Sequence, residues 1–517
     1  WRTRKDRHMI PNSELIFGPP GCGKTYTLIQ EVEDELARGT HPSRIGYCSF
    51  TKKAVQEAVT RAGSKFGLSS KELPYFRTLN SLGFRGLGLQ TTDMMSAEDW
   101  AILGLDLGLK FTGTSTVSMD DGLTIPPGLE KGDLYAQLQM RARHRMISLE
   151  QEYNEHGSYA LNFAQLKRFD AALENYKAGM NKMDFVDQID KYIEMVEPPY
   201  LDLFIVDEAQ DLTPLQWTMV RKISENCGRV ILAGDDDQAI HRWTGVDVSL
   251  FLHASENRRV LTQSYRMPKR VHDLSWQIVK RIENRMPKQF SPTDREGQIQ
   301  YLSSNHHLDL TQGSWTLMTR TNKKMHDWAH ELRRDGFLYS TKGRSSVSEK
   351  LASVISSWRT LQQGEALPYR LVCQLYDNVP KQGDYAVVKR GSKKLLEAAS
   401  PDAMLTYDML VAEFGMKAPL EREAFDVANM GKDMRNYIRA IERRGEDILA
   451  TPRLKVSTFH GMKGGEDDNC AVSLGSTWAC VNTDFPDDEH RAMYVGITRT
   501  KNRLCIIDSD ERHRYDL

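Results

Sequence analysis

Residues 18–25 read GPPGCGKT, and this octet constrains the chain more than any other stretch. It follows the apolar run Leu15-Ile16-Phe17 and leads into TYTLIQEVEDELARG, where Leu28, Ile29, Val32 and Leu36 share one helical face and Gly39 marks a stop. Strand, glycine loop and helix in this order are the setting in which G-x-x-x-x-G-K-[ST] cradles phosphate. Gly18, Gly21 and Gly23, with Cys22 among them, let backbone N–H groups close around phosphate oxygens. Lys24 neutralises the terminal phosphates and the Thr25 hydroxyl ligates Mg²⁺. A chance glycine turn would lack these flanks.

A second strand supplies what the first lacks. Leu203-Phe204-Ile205-Val206 is a continuous apolar run of the kind buried in a parallel sheet, and it ends in Asp207-Glu208-Ala209-Gln210-Asp211. Acids at the carboxyl end of such a strand sit where open α/β sheets bind ligands. Asp207 suits Mg²⁺, and Glu208 suits the orientation and deprotonation of an attacking water. The competing reading, acids facing a helix dipole, loses weight beside a phosphate loop. Together the parts imply a Mg-dependent nucleoside triphosphatase. Lys24 and Asp207 must meet although ~180 residues separate them, far more than a sheet connection needs, so a segment is inserted. Helical patterns such as YAQLQMRARHRMISLEQEY and LNFAQLKRFDAALENYKAGM fill it, and LGLKFTGTSTVSMDDGLTIPPG reads as loop.

Bulk composition narrows the class. A chain of 517 residues with 27% charged and 40% hydrophobic residues fits several globular domains. No apolar run approaches the roughly 18 residues that span a bilayer. The seven cysteines form no C-x-x-C pair, which argues against a zinc or disulfide framework and for a reducing cytoplasm. With a net charge of −1, any phosphate-binding surface is a local groove and not a global field.

The strand RVILAGD (229–235) opens GDDDQAIHRWTG (234–245), in which three acids, an amide and a tryptophan crowd together. With DEAQD (207–211), LTQSYRMP (261–268), VSTFHGMKGGED (456–467) and HRAMYVGITRTK (490–501), it follows the order found in superfamily 1 helicases. The chain resembles the UvrD/Rep branch, and the weaker matches CSFTKKA (48–54) and RTLNSLG (77–83) resemble that family's first DNA-contacting motifs. The resemblance implies two RecA-like α/β motor domains of the P-loop type, each carrying an inserted helical or mixed subdomain. The implied boundaries are 1–84, 196–256 for the first motor domain around a helical insertion 85–195. The second motor domain is expected at 257–365 and 448–517 around a short insertion 366–447.

Residue by residue, the resemblance makes Gln238 a sensor of the γ-phosphate, and Arg266 and Arg499 the two arginines that reach that phosphate from the second motor domain. Tyr265 resembles the aromatic that stacks on the nucleotide base, and Glu466 the acid near its sugar and phosphates. Phe50, Trp243 and His460 match positions that stack on or abut bases of a single strand, with Thr51, Asn80 and Arg242 near its phosphates; stacking tolerates any sequence. Asp235 to Asp237 read as turn-shaping and capping residues and not as metal ligands. A helical link from Gln238 to Trp243 would place them roughly 7.5 Å apart along its axis. Lys389, Arg390, Lys393 and Lys394 in the second insertion are candidates for duplex phosphates, and Tyr515 for the tip of a C-terminal hairpin. Two departures stand out. Residues 1–17 hold no adenine-reading glutamine, implying a shortened start or relaxed base selectivity. Gly465 and Asp467 stand where the family tends to have hydrophobic residues.

The implied protein is an ATP-dependent DNA helicase moving 3′-to-5′ on single-stranded DNA, with ATP and Mg²⁺ as cofactors. Its partners would be single-stranded DNA, single/double-strand junctions, and replication or repair proteins. It would act as a monomer or weak oligomer in the cytoplasm of a bacterial or phage-infected cell. The rivals are a translocase that displaces proteins with little unwinding, and a non-motor DNA-binding protein with a degenerate ATPase.

Overall fold

The computed structural model describes residues 9–49, 52–112, 130–157, 161–508 and 511–517. They form two compact units: one runs to Glu296 and takes in Thr483–Thr498, and the other comprises Gly297–Asn482 and Arg499–Leu517.

In the first unit, β1 (Ser13–Phe17), β2 (Ile45–Ser49), β3 (Phe76–Arg77), β4 (Leu201–Asp207), β5 (Cys227–Gly234) and β6 (Arg258–Val260) build a parallel sheet of order β3-β2-β4-β5-β1-β6. The inner strands lack polar alternation because both faces are covered. Phe17, Cys48, Phe204, Val206 and Leu232 face one layer, while Ile16, Tyr47, Leu203, Ile205 and Ile231 face the other. Helices α1 (Lys24–Ala37) and α2 (Lys52–Phe66) cover the second of these faces. Helix α3 (Leu79–Gly86) lies on the first, starting at Thr78, whose hydroxyl accepts from the Ser81 N–H.

The inserted helices are α4 (Ala97–Leu107), α5 (Lys131–Arg145), α6 (Leu149–His156), α7 (Phe163–Met180) and α8 (Phe185–Met195). Their own core gathers Leu103, Tyr135, Leu138, Leu166, Phe169 and Leu173. Helix α8 departs from this grouping: Val186, Ile189 and Tyr192 join the sheet's core beside Leu79 and Leu82. Helix α8, which ends at the expected division at 195, thus spends its apolar face on the sheet layer. The expected loop 107–128 lies mostly outside the described residues.

Just after position 257, where the second motor domain is expected to start, β6 pairs with β1, and the Leu261 N–H donates to the Phe17 carbonyl at 2.9 Å. Helices α9 (Pro214–Ser224), α10 (Val248–Leu252) and α11 (Lys269–Val279) continue this unit, and the helix Pro486–Ile497 packs against α11.

The second unit has its own sheet, formed by β7 (Gln298–Leu302), β8 (Trp315–Thr319), β9 (Tyr339–Thr341), β10 (Arg344–Ser345), β13 (Leu454–Thr458), β14 (Asp467–Ser473) and β15 (Thr500–Ile507). Its order is β10-β9-β13-β8-β14-β15-β7, with only the β9–β10 pairing antiparallel. Residues 366–447 add the short pair β11 (Leu367–Pro368) and β12 (Met404–Leu405) and several helices. This insertion shares one core with the sheet: Tyr376, Val387, Val388, Leu396 and Ile438 cluster with Trp315, Leu317, Leu454 and Val456. Lys389 and Arg390 follow directly on the buried Val387 and Val388, and Lys393 pairs with Asp377 at 2.9 Å. At the C-terminal stretch the Tyr515 N–H donates to the Leu474 carbonyl, and Arg514 bridges Gly475; Tyr515 thus lines the end of β14 and tips no hairpin. Among the described residues no helix is long and apolar enough to cross a membrane.

Candidate active site at the phosphate loop

Parallel pairing brings the carboxyl ends of β1, β4 and β5 side by side, with Phe17 opposite Gly234 and Val206 opposite Leu232. Everything placed just after these residues shares one crevice, the usual ligand position of an open α/β sheet. The Gly18 N–H donates to the Gly234 carbonyl at 2.8 Å, which anchors the loop. Gly21 and Gly23 take φ of 71° and 76°, a region that favours glycine, and Gly23 caps the start of α1. The loop therefore delivers its N–H groups and the N-terminus of α1 to one place, which suits an anion.

Lys24 leans from the first turn of α1 to Glu208 Oε1 at 2.5 Å and Asp207 Oδ1 at 3.3 Å. Burial works against its charge, but the Glu208 and Asp207 carboxylates more than offset this and hold its pKa above the ordinary lysine value. Asp207 is buried; the Tyr47 hydroxyl donates to its Oδ2 at 3.0 Å and the Glu208 N–H to its Oδ1 at 2.8 Å. That burial raises the Asp207 pKa, against the pull of Lys24. Glu208 itself is a non-glycine residue at φ 56°, a left-handed conformation that costs energy and turns its side chain out at the strand end. Thr25 is half-buried in the first turn of α1. A hydroxyl and a carboxylate suit Mg²⁺, a hard cation that takes few protein oxygens alongside substrate phosphates.

The stretch 234–245 resolves differently from the expected helical link. Asp236–Gln238 and Arg242–Thr244 are separate 3₁₀ turns, with Ala239, Ile240 and His241 outside either, so no continuous helix joins Gln238 to Trp243. Asp235 caps the first turn, accepting from the Asp237 N–H at 3.3 Å, and the Gln238 amide donates to Asp235 Oδ2 at 2.6 Å. The three carboxylates converge as a metal cage would. A lysine fills that place: Lys288 Nζ lies 3.1, 2.6 and 2.6 Å from Asp235, Asp236 and Asp237. Arg285 adds a two-pronged contact to Asp237 at 2.7 Å, the Met286 N–H caps Asp236, and Arg491 Nε donates to the Asp236 carbonyl.

Tyr265 and Arg266 sit against the phosphate loop. The Tyr265 N–H donates to the Gly21 carbonyl and the Ser264 hydroxyl to the Pro20 carbonyl, both at 2.8 Å. A Cβ on Gly21 would stand 2.3 Å from the Arg266 Cβ, so only glycine fits there. The Tyr265 ring is 72% exposed and passes beside Gly23, leaving a face for a planar group. Arg266 thus belongs to the first unit, together with Thr498, whose carbonyl accepts from its guanidinium.

In the second unit, Arg499 is buried and donates to the Gly465 carbonyl at 3.4 Å. Glu466 pairs with Lys501 at 2.6 Å, and His460 lies half-exposed in the turn after β13. The unusual Asp467 is buried yet satisfied, accepting from Thr316, Lys455 and the Asp468 N–H. Polar pairing there replaces the hydrophobic contact its position suggested. A Cβ on Gly465 would press on the tip of the flexible Met462 side chain, which would have to move aside.

The nucleic-acid candidates divide. Trp243 is 44% exposed and lines a cavity of about 140 Å³ with Leu138, Arg141 and His156; Arg141 also donates to its carbonyl. Arg242 is exposed, its guanidinium 3.4 Å from the Phe485 ring centroid. The Asn80 amide is buried and donates to the Phe185 carbonyl at 2.9 Å, tying α3 to α8. Phe50 and Thr51 lie outside the described residues. Tyr47, Gln210, Arg285 and Lys288 were not singled out by sequence; only Gln210 had a signal, its place inside DEAQD.

A phosphate loop after β1, an acid pair at the end of β4 one strand beyond β5, and flanking parallel strands define a P-loop nucleoside triphosphatase fold. A family model described as the UvrD/REP helicase N-terminal domain matches residues 3–259. The ATP-dependent DNA helicase PcrA of Bacillus subtilis is 24% identical over 366 residues, covering 65% of this chain and 46% of that protein. DNA helicase II of Escherichia coli is 23% identical over 359 residues, covering 65% and 47%. PcrA of Staphylococcus aureus (strain COL) is 25% identical over 410 residues, covering 73% and 54%. Residues 3–259 thus match the UvrD-like helicase family, to which the similar helicases point as well, and the chain spans about half the length of the curated relatives it matches.

Proposed function

We propose that this chain is a DNA-dependent ATPase that moves 3′-to-5′ along single-stranded DNA and couples hydrolysis of Mg-ATP to unwinding, in a bacterial cytoplasm. The observation that carries this reading is the Lys24–Asp207–Glu208 constellation on the phosphate loop. Lys24 leaves its two carboxylates for the terminal phosphates; Glu208, released, orients a water and accepts its proton. Thr25 and Asp207 would hold Mg²⁺, which supplies positive charge against the phosphates. Tyr265 offers its ring to the base, Gln238 faces the γ-phosphate with an uncharged amide, and Arg266 and Arg499 stabilise transition-state charge. Glu466 meets the sugar side. Trp243 and His460 contact bases, and Arg242 phosphates.

ATP turnover measured in parallel with single-stranded DNA, duplex DNA and RNA tests the motor. Stimulation by single-stranded DNA is expected; none by any nucleic acid rejects it. Unwinding of duplexes with 3′ or 5′ tails tests polarity, and a preference for the 5′ tail rejects that part alone. A second reading, displacement of bound proteins with little unwinding, draws on the insertion 366–447, whose core is continuous with its sheet. Removal of a bound protein without strand separation would favour it.

A further inference from the structure

Gln210 is 1% exposed, and no step above uses it. Its amide nitrogen donates to Glu208 Oε2 at 2.6 Å and to Asp211 Oδ2 at 3.0 Å. Its amide oxygen accepts the Asp235 N–H at 3.1 Å. Asp235 in turn accepts from the Gln238 amide at 2.6 Å. Space is kept for this arrangement: a Cβ on Gly234 would stand 2.2 Å from Gln210 Oε1.

We propose that Gln210 is a positioning residue that ties the carboxylate of Glu208 to the backbone of Asp235 and so to Gln238. This rests on the reading of Glu208 as the base for ATP hydrolysis. Only a primary amide of this length meets the demand. Two N–H protons serve two carboxylates, and one oxygen serves a backbone donor. A glutamate would set a third carboxylate against Glu208 and Asp211, and an asparagine would fall a methylene short. Because Glu208 sits at a left-handed φ, its carboxylate depends on side-chain contacts for its aim. The relay Glu208–Gln210–Asp235–Gln238 lets the residue that meets the γ-phosphate and the residue that activates water settle together.

The test uses the whole chain with saturating single-stranded DNA and reads kcat and KM for ATP. Active sites are counted by stoichiometric binding of a fluorescent ATP analogue. Gln210→Met, close in shape but without donors, is expected to lower kcat on the order of 10²-fold while KM holds within about 2-fold. Combining it with Gln238→Ala is expected to cost no more than the worse single change, since residues acting as a unit are non-additive. Unchanged kcat overturns the proposal, as does a fall in active-site count that accounts for the whole loss. Losses that multiply overturn the link to Gln238. Should Gln210→Met bind no nucleotide, the isosteric Gln210→Glu decides by the same readouts. A wild-type chain with no ATP turnover removes the reading of Glu208 itself, whereas an active wild type with an indifferent Gln210→Met removes only the relay.

Discussion

Two lysine–carboxylate clusters stand at the ends of adjacent regions of one sheet and could not be more differently used. At the end of β4, Lys24 joins Asp207 and Glu208 with side-chain exposures of 11%, 1% and 26%. Beyond β5, Lys288 joins Asp235, Asp236 and Asp237 with every member at 1% or less. The first cluster gathers on Lys24, and the Glu208 side chain remains partly open to solvent. The second is closed by Lys288, Arg285, a backbone N–H and Arg491. A shared composition of acids around a lysine therefore supports two outcomes. Access and the number of retained partners decide which is a reactive site and which is a fastening.

The sharpest way to break the comparison is Glu208→Gln, which removes the base but keeps shape. ATP turnover with single-stranded DNA is expected to fall by about 10²–10⁴-fold while the denaturant midpoint barely moves. Comparable losses of both would make the open cluster structural. The converse change is Lys288→Met, which leaves buried carboxylates without their cation. A loss of roughly 3–5 kcal/mol is expected in urea unfolding, the usual effect of breaking a buried pair from one side. A stable variant would mean that the closed cluster tolerates an empty centre.

His144 sharpens the contrast, being a buried titratable group whose charged form burial opposes. Its ring meets the Thr213 hydroxyl at 3.3 Å, and burial, helped by Arg143 and opposed by Asp184, pushes its pKa down to about 4. The unfolded chain binds this proton near pH 6.5 and the folded chain does not. Stability is therefore full above that pH and declines as pH falls toward 4, by roughly 3 kcal/mol. Urea midpoints measured over that range should show the slope, and His144→Gln should flatten it. The smallest effect expected is that of Trp243→Ala, roughly 1–3 kcal/mol in DNA affinity. DNA-stimulated turnover should then suffer more than basal turnover in ATPase assays with and without single-stranded DNA; equal losses would separate the ring from the strand.

The α/β class and the phosphate loop were legible because each depends on short-range order: a continuous apolar run, a glycine pattern, a helix face. The fastening around Asp235–Asp237 was not. Lys288 lies about 50 residues away and Arg491 more than 200, and neither carries a local signal. The strand β6 was illegible for a related reason. Its three residues contain two arginines and give no buried-strand pattern, yet they pair at the sheet edge with β1. Asn80 shows the reverse limit, since a motif supplies a residue type but not the direction of its amide.

The bonds from Ser264 to Pro20 and from Tyr265 to Gly21 make the Tyr265 backbone and the phosphate loop one piece of furniture. A shift of either carries the other with it, while the exposed phenol ring can still turn about its own bonds.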